Sequence, residues 1–214
     1  MQTLLTQAQE LLEAGYVPLR LDYASKAAKH AGWQVEQPTE ASVERAFARP
    51  SNLGVRCGDR APDGTRLLAI DIDVNDIELI RGVEHAIGVI VPAKTGKKGV
   101  TYFVRVDYEQ KSTKIKLKRG GKSAPAIDIL CIGAQSVIPP SIHPDTKLPY
   151  RWVAGQPLWE ADYRTLPVFG PSLLDEIRGF CENPDDPIYA LNDMVWNGVG
   201  GGGDTHDTCL AAVM

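Results

Sequence analysis

Long apolar runs are missing from this chain of 214 residues. None approaches the ~20 residues that a membrane-crossing helix requires, so no membrane partner is expected. The opening segment, MQTLLTQAQELLEAG, has neither a basic leader nor a small-residue cleavage site. It reads as an amphipathic helix, and a cytoplasmic location is expected. Cysteine is scarce and scattered: Cys57, Cys131, Cys181 and Cys209 form no C-x-x-C pair. That favours free, mostly buried thiols in a reducing compartment over a disulfide framework. His30, His85, His143 and His206 do not join them at zinc spacing, which argues against a structural zinc site. Net positive charge is absent too. Lys and Arg total 23 against 27 Asp and Glu, a formal −4, which argues against a protein coated in nucleic acid. No internal repeat is visible.

What is present has the balance of a globular protein, with 43% hydrophobic and 23% charged residues. The charge is unevenly spread. Lys94, Lys97, Lys98, Arg105, Lys111, Lys114, Lys116, Lys118, Arg119 and Lys122 crowd one stretch that only Asp107 and Glu109 interrupt. This is a basic surface on an acidic chain. It suits either a nucleic-acid contact or a solvated hairpin.

Periodicity predicts a helix over 2–14, ended by Gly15, then the strand YVPLRL and a loop carrying Lys26 and Trp33. A helix near 40–48 follows, with Thr39 as N-cap. LGVRCG and RLLAIDIDV are strands separated by the turn signal APDGT. A helix near 75–87 is expected to start at Asn75. The strands VIVPAK, VTYFVRV, KIKLK, AIDILCI, QSVIPPS and YRWV come next. From Pro171 the pattern turns helical, in PSLLDEIRGFCEN, DPIYALNDMVWNG and THDTCLAAVM, with Gly200 to Gly203 as a link. The last helix pattern stops without a C-cap, so a fragment of a longer protein is expected. The fold class is α+β, with a mixed, mostly antiparallel sheet and helices before and after it. The expected division is a catalytic domain over 1–170 and a helical extension or linker over 171–214.

Chemistry enters at Leu67–Val74. Side chains alternate along a strand, so Leu68, Ile70, Ile72 and Val74 point into a core while Asp71 and Asp73 share the opposite face. Neighbouring carboxylates repel unless a cation lies between them, and Mg²⁺ is a hard ion suited to oxygen ligands and substrate phosphates. The alternative is an exposed strand face. Asp128 interrupts the apolar strand AIDIL, where a charge needs a metal or an ion pair to one of the nearby lysines. Together these carboxylates suit two-metal phosphoryl transfer, in which cations about 3.5–4 Å apart clamp attacking and leaving oxygens. Gly96-Lys97-Lys98-Gly99 reads equally as a phosphate-cradling nest or a plain hairpin turn. Arg56, at a Gly-flanked strand end, suits a phosphate contact or a surface ion pair.

The order of motifs resembles the catalytic module of the archaeo-eukaryotic primase superfamily, in its bifunctional primase-polymerase group of phage, prophage and plasmid type. The resemblance runs from about Leu11 to Trp152. It is carried by AGYVPLRL, Lys26, Trp33, Asn52–Gly58, AIDID, TGKKGVTYFVR, AIDIL and PPSIHPDTKLPYRW. It implies an RRM-like mixed sheet joined to an N-terminal α/β unit. It implies Mg²⁺ or Mn²⁺ on Asp71, Asp73 and Asp128, and an incoming NTP or dNTP contacted by Arg56, Lys98, Thr101, Arg105, Ser141 and His143. Lys114, Lys116 and Lys118 are expected to bind a single-stranded DNA template. A helicase domain or replication protein, fused or separate, is the expected partner. The chain departs from the family at Thr101, which stands where a strand histidine normally contacts the nucleotide phosphates; Lys98 and Arg105 are nearby replacements. The expected reaction is template-directed nucleotidyl transfer for primer synthesis or extension. The rival readings are a non-catalytic nucleic-acid-binding module of the same fold and a metal-dependent nuclease.

Overall fold

The computed structural model describes residues 3–183. Helix α1 (Leu4–Glu13) is capped by Thr3, whose side chain accepts from the Thr6 N–H, and it buries Ala8 and Leu11. Strand β1 (Pro18–Leu21) follows. Helix α2 (Glu40–Ala46) starts at Thr39 in a reciprocal capping box with Ser42. Then come β2 (Asn52–Arg56), β3 (Arg66–Ile72), helix α3 (Ile77–Ile87), β4 (Ala93–Thr95) and β5 (Thr101–Val106). The hairpin of β6 (Thr113–Arg119) and β7 (Lys122–Leu130) is followed by β8 (Gln135–Ile138) and β9 (Arg151–Ala154). A 3-10 turn at Tyr163–Thr165, the short β10 (Val168–Phe169) and helix α4 (Ser172–Glu182) complete the described residues.

The strands form two sheets. The small one has the order β1-β2-β8; the seven-stranded one runs β6-β7-β3-β5-β4-β9, with β10 on β5. Every ladder is antiparallel except β10 on β5. Alternation along β3 decides the layering. Leu68, Ile70 and Ile72 are wholly buried and pack with α3 and α4 on one face of the large sheet. Leu67 and Ala69 face the other way, where they join Phe103, Leu53, Val55 and residues of α1 and α2 in a second core. Each fully buried Leu, Ile or Phe stabilises by about 1.5–3 kcal/mol, so both cores hold the large sheet rigidly from either side.

Two details differ from expectation. The cap of α3 is Asp76, whose carboxylate accepts from the Leu79 N–H; Asn75 instead accepts from the Gly99 N–H at 2.8 Å. Both residue types cap well, and the β4–β5 turn selects between them. Helix α4, expected to open an extension, is built into the main core through Leu173, Leu174, Ile177, Phe180 and Cys181. The helices expected after it fall at residues 184–214, outside the described residues.

Candidate active site

Directly opposed residues of an antiparallel pair share a face and lie close together. The register of the large sheet therefore assembles one transverse row. Lys114 on β6 opposes Asp128 on β7, and Asp128 opposes Asp71 on β3. Asp71 opposes Thr101 on β5, Thr101 opposes Lys94 on β4, and Lys94 opposes Trp152 on β9. Asp73 lies two residues beyond Asp71, where its N–H still bonds the Ala126 carbonyl at 2.8 Å. Asp71 and Asp128 thus meet on one face, in the middle of a row with a lysine on either side, and Asp73 lies just past the end of β3.

Each carboxylate holds a partner. The Thr101 hydroxyl donates to Asp71. Lys98 reaches Asp73 at 3.3 Å, and Lys114 reaches Asp128 at 3.0 Å. Among the described residues no three acidic, His or Cys side chains converge as a metal-holding group. The donor chemistry nonetheless fits a divalent ion: Asp71 and Asp128 are cross-strand neighbours and offer hard oxygens. Asp73 and Asp128 are turned towards ammonium groups, with which a metal would compete.

The turn after β4 brings in further groups. Gly99 has φ +60, and a Cβ there would lie 1.8 Å from the Ile72 carbonyl oxygen, so only glycine lets this turn close on the end of β3. A Cβ at Gly96 would meet the Tyr150 ring at 2.5 Å. The Gly96–Gly99 segment is thus the tight connection of a hairpin, and it lies against the loop before β9. From that loop His143 packs its ring 5.3 Å from that of Tyr150. His143 Nδ1 accepts from the N–H groups of Asp145 and Thr146 at 3.1 and 3.4 Å, which assigns the proton of the neutral ring to Nε2. Burial first, and then the Lys26 charge, holds this imidazole below its ordinary value.

Lys94 is the residue that sequence reasoning missed as part of the site. It is only 6% exposed. Among the described residues its ammonium forms no ion pair; it sits 5.0 Å from the centroid of the Tyr150 ring. Burial pulls its pKa down, and the attraction of Asp71 opposes that pull. The signal available was weak: Lys94 closes the apolar segment VIVPAK and opens the basic stretch.

Other expected contacts lie elsewhere. Arg105 is four residues along β5 from Thr101, roughly 13 Å at strand spacing. It donates to the Leu166 and Arg164 carbonyls at 2.9 and 2.7 Å and to Asp63 at 2.8 Å. Arg56, buried on β2, donates to Asp59 at 2.5 Å and to the Trp33 and Glu36 carbonyls at 2.7 and 2.6 Å. It fastens the loop between β1 and α2. The Ser141 hydroxyl accepts from the Leu53 N–H at 2.7 Å and donates to the Leu53 carbonyl at 2.9 Å, anchoring the His143 loop to β2. These groups are committed to the fold. Lys116 and Lys118 are exposed on β6 and follow Lys114 at the strand period of two, on the face opposite the inward-facing Ile115 and Leu117.

Residues 8–167 match the family model of the bifunctional DNA primase/polymerase N-terminal domain, Prim-Pol. The chain belongs to the Prim-Pol family. A search of curated proteins gave no match. The matched range begins within α1, ends before β10 and includes the whole transverse row. Helix α4 lies outside that range although it shares the Prim-Pol core.

Proposed function

We propose that this Prim-Pol domain is a template-directed nucleotidyltransferase that makes or extends primers from NTPs or dNTPs, in the replication of a phage, prophage or plasmid. The fold is read accordingly as a primase-type core, an RRM-like sheet joined to an N-terminal α/β unit. The observation that carries the proposal is the row that places Asp128 and Asp71 side by side, with Asp73 just past the end of β3. Asp71, Asp73 and Asp128 would hold Mg²⁺ or Mn²⁺. The ions supply charge neutralisation at the attacking 3′ oxygen and at the leaving pyrophosphate.

The protein's own groups have separate tasks. The Thr101 hydroxyl fixes the orientation of Asp71. Lys98 and Lys114, released from their carboxylates, become free for phosphate oxygens of nucleotide and template. His143, neutral at pH 7, offers its Nε2–H as a hydrogen-bond donor. Lys116 and Lys118 extend the cationic track along β6 for single-stranded DNA. Arg105 and Ser141 have no place in the proposed contacts, because their donors are already used; Arg56 is held by Asp59 and two carbonyls but keeps a buried Nη2 without a partner. A helicase domain or other replication protein remains the proposed partner.

A second reading rests on Thr101. A domain without the strand histidine suits a nucleic-acid-binding module that has lost catalysis. Incubation with single-stranded template, labelled nucleotides and Mg²⁺ or Mn²⁺ separates the readings. Product longer than the input supports the transferase. Template binding without incorporation supports the module, and shortened template supports a nuclease.

A further inference from the structure

We infer that Lys94, buried between Thr101 and Tyr150, is the anchor for the phosphates of the incoming nucleotide and takes over the task of the absent strand histidine. This rests on the nucleotidyl-transfer reading and names the part of the site that holds the triphosphate.

A buried ammonium without a counter-ion is costly, and proteins rarely keep one unless it has a ligand. Lys94 is 6% exposed and forms no ion pair among the described residues. Its ammonium lies 5.0 Å from the centroid of the Tyr150 ring. The Tyr150 hydroxyl is likewise buried without a hydrogen-bond partner. His143 adds the Nε2–H from beside the same ring. Lys26 acts electrostatically on both Lys94 and His143, while Asp71 across the row attracts Lys94. An ammonium without an ion pair among the described residues, an unpartnered buried hydroxyl, a donor-bearing imidazole and a further cation therefore share one locus. A multiply charged anion with several acceptor oxygens would satisfy all of them, and a polyphosphate is such an anion.

The position explains the exchange of residues. Lys94 opposes Thr101 directly, and Thr101 opposes Asp71. A short side chain at position 101 leaves a lysine on the next strand the space that a histidine ring would occupy. The row also gains a direction. Polyphosphate lies on the β4 side of the carboxylates, and the template lies on the β6 side, beyond Lys114.

The test uses the full chain with Lys94→Met and Tyr150→Phe. Inorganic tripolyphosphate is titrated by calorimetry in the presence of a chelator, so that metal and template play no part. Wild type should bind it. Lys94→Met should weaken binding by at least about tenfold, as loss of a charge-assisted contact does, while unliganded thermal stability holds or rises because an uncompensated buried charge is gone. Tyr150→Phe keeps the ring and should weaken binding by about fivefold, the worth of one hydrogen bond. Nucleotide KM should rise in both variants. Unchanged tripolyphosphate affinity in Lys94→Met, or a wild type that binds none, overturns the anchor. So does a Lys94→Met variant that loses stability while Tyr150→Phe binds normally, since Lys94 is then structural. A wild type that binds tripolyphosphate but incorporates no nucleotide overturns the transferase reading and leaves the anion site standing. Incorporation with unchanged KM in Lys94→Met overturns the anchor alone.

Discussion

Replacing Arg105 with Met should damage stability and spare nucleotide binding. The methionine retains most of the apolar stem and removes the guanidinium. Two carbonyls, the buried one of Leu166 and the half-buried one of Arg164, then lose their donors. An unsatisfied buried acceptor costs about 1–3 kcal/mol. The ion pair to Asp63 adds less than about 1 kcal/mol, because that carboxylate is 42% exposed and screened by solvent. The contact with the Tyr163 ring, 5.2 Å from its centroid, is lost as well. Relief from burying the charge offsets part of this, leaving a net loss of about 3 kcal/mol. For a domain of this size that lowers Tm by roughly 6–12 °C. The assay pairs thermal unfolding by circular dichroism with nucleotide KM measured well below the transition. A Tm within about 2 °C of wild type, together with a tenfold rise in KM, would refute the reasoning and return Arg105 to the nucleotide site.

Three further outcomes are expected. Changing Lys114, Lys116 and Lys118 together to Gln should weaken single-stranded DNA binding and lower the salt slope by about 2, at ~0.7 per phosphate contact; an unchanged slope makes β6 a solvated face. Cutting the chain at Pro171 removes the buried Leu173, Leu174, Ile177 and Phe180. At about 2 kcal/mol each this rivals a typical whole-domain stability, so the truncated protein should lose cooperative unfolding; retained cooperativity would contradict the placement of α4 in the core. His143 is held below the ordinary imidazole value of 6.5 by burial and then by Lys26. A depressed pKa contributes stability that is complete above the unfolded value and is lost as pH falls through the folded one. An NMR titration should therefore show a midpoint below 6.5, with the loop around His143 loosening as that imidazole takes up its proton; an ordinary midpoint would contradict its burial.

Much of the layout is legible without coordinates, because its signals are local. Alternation along the segment RLLAIDIDV separates Asp71 and Asp73 from Leu68, Ile70 and Ile72, and the interruption of an apolar strand singles out Asp128. The Thr39 cap is equally local. What escapes the sequence depends on pairing between distant segments. Lys94, Thr101 and Asp71 become neighbours only through the β4-β5-β3 register. Lys94 looks like one more member of a basic stretch until its burial is known. Arg105 shows the same blindness in reverse: its charge is visible, but the Leu166 and Arg164 carbonyls that absorb it lie about 60 residues away. The amphipathic pattern of α4 announces a helix with an apolar face, and only the fold shows that α3 and β6 cover it.

The central claim is that Asp71, Asp73 and Asp128 form the catalytic centre. The most direct measurement is primer extension on single-stranded template with Mg²⁺ or Mn²⁺, comparing wild type with Asp71→Asn and Asp73→Asn at matched folding by circular dichroism. Wild type should lengthen the primer. Both variants should lose incorporation by at least about a hundredfold, a deficit of ~2.7 kcal/mol in transition-state stabilisation, while they stay folded and still bind template. Folded variants that extend primers at the wild-type rate would contradict the account.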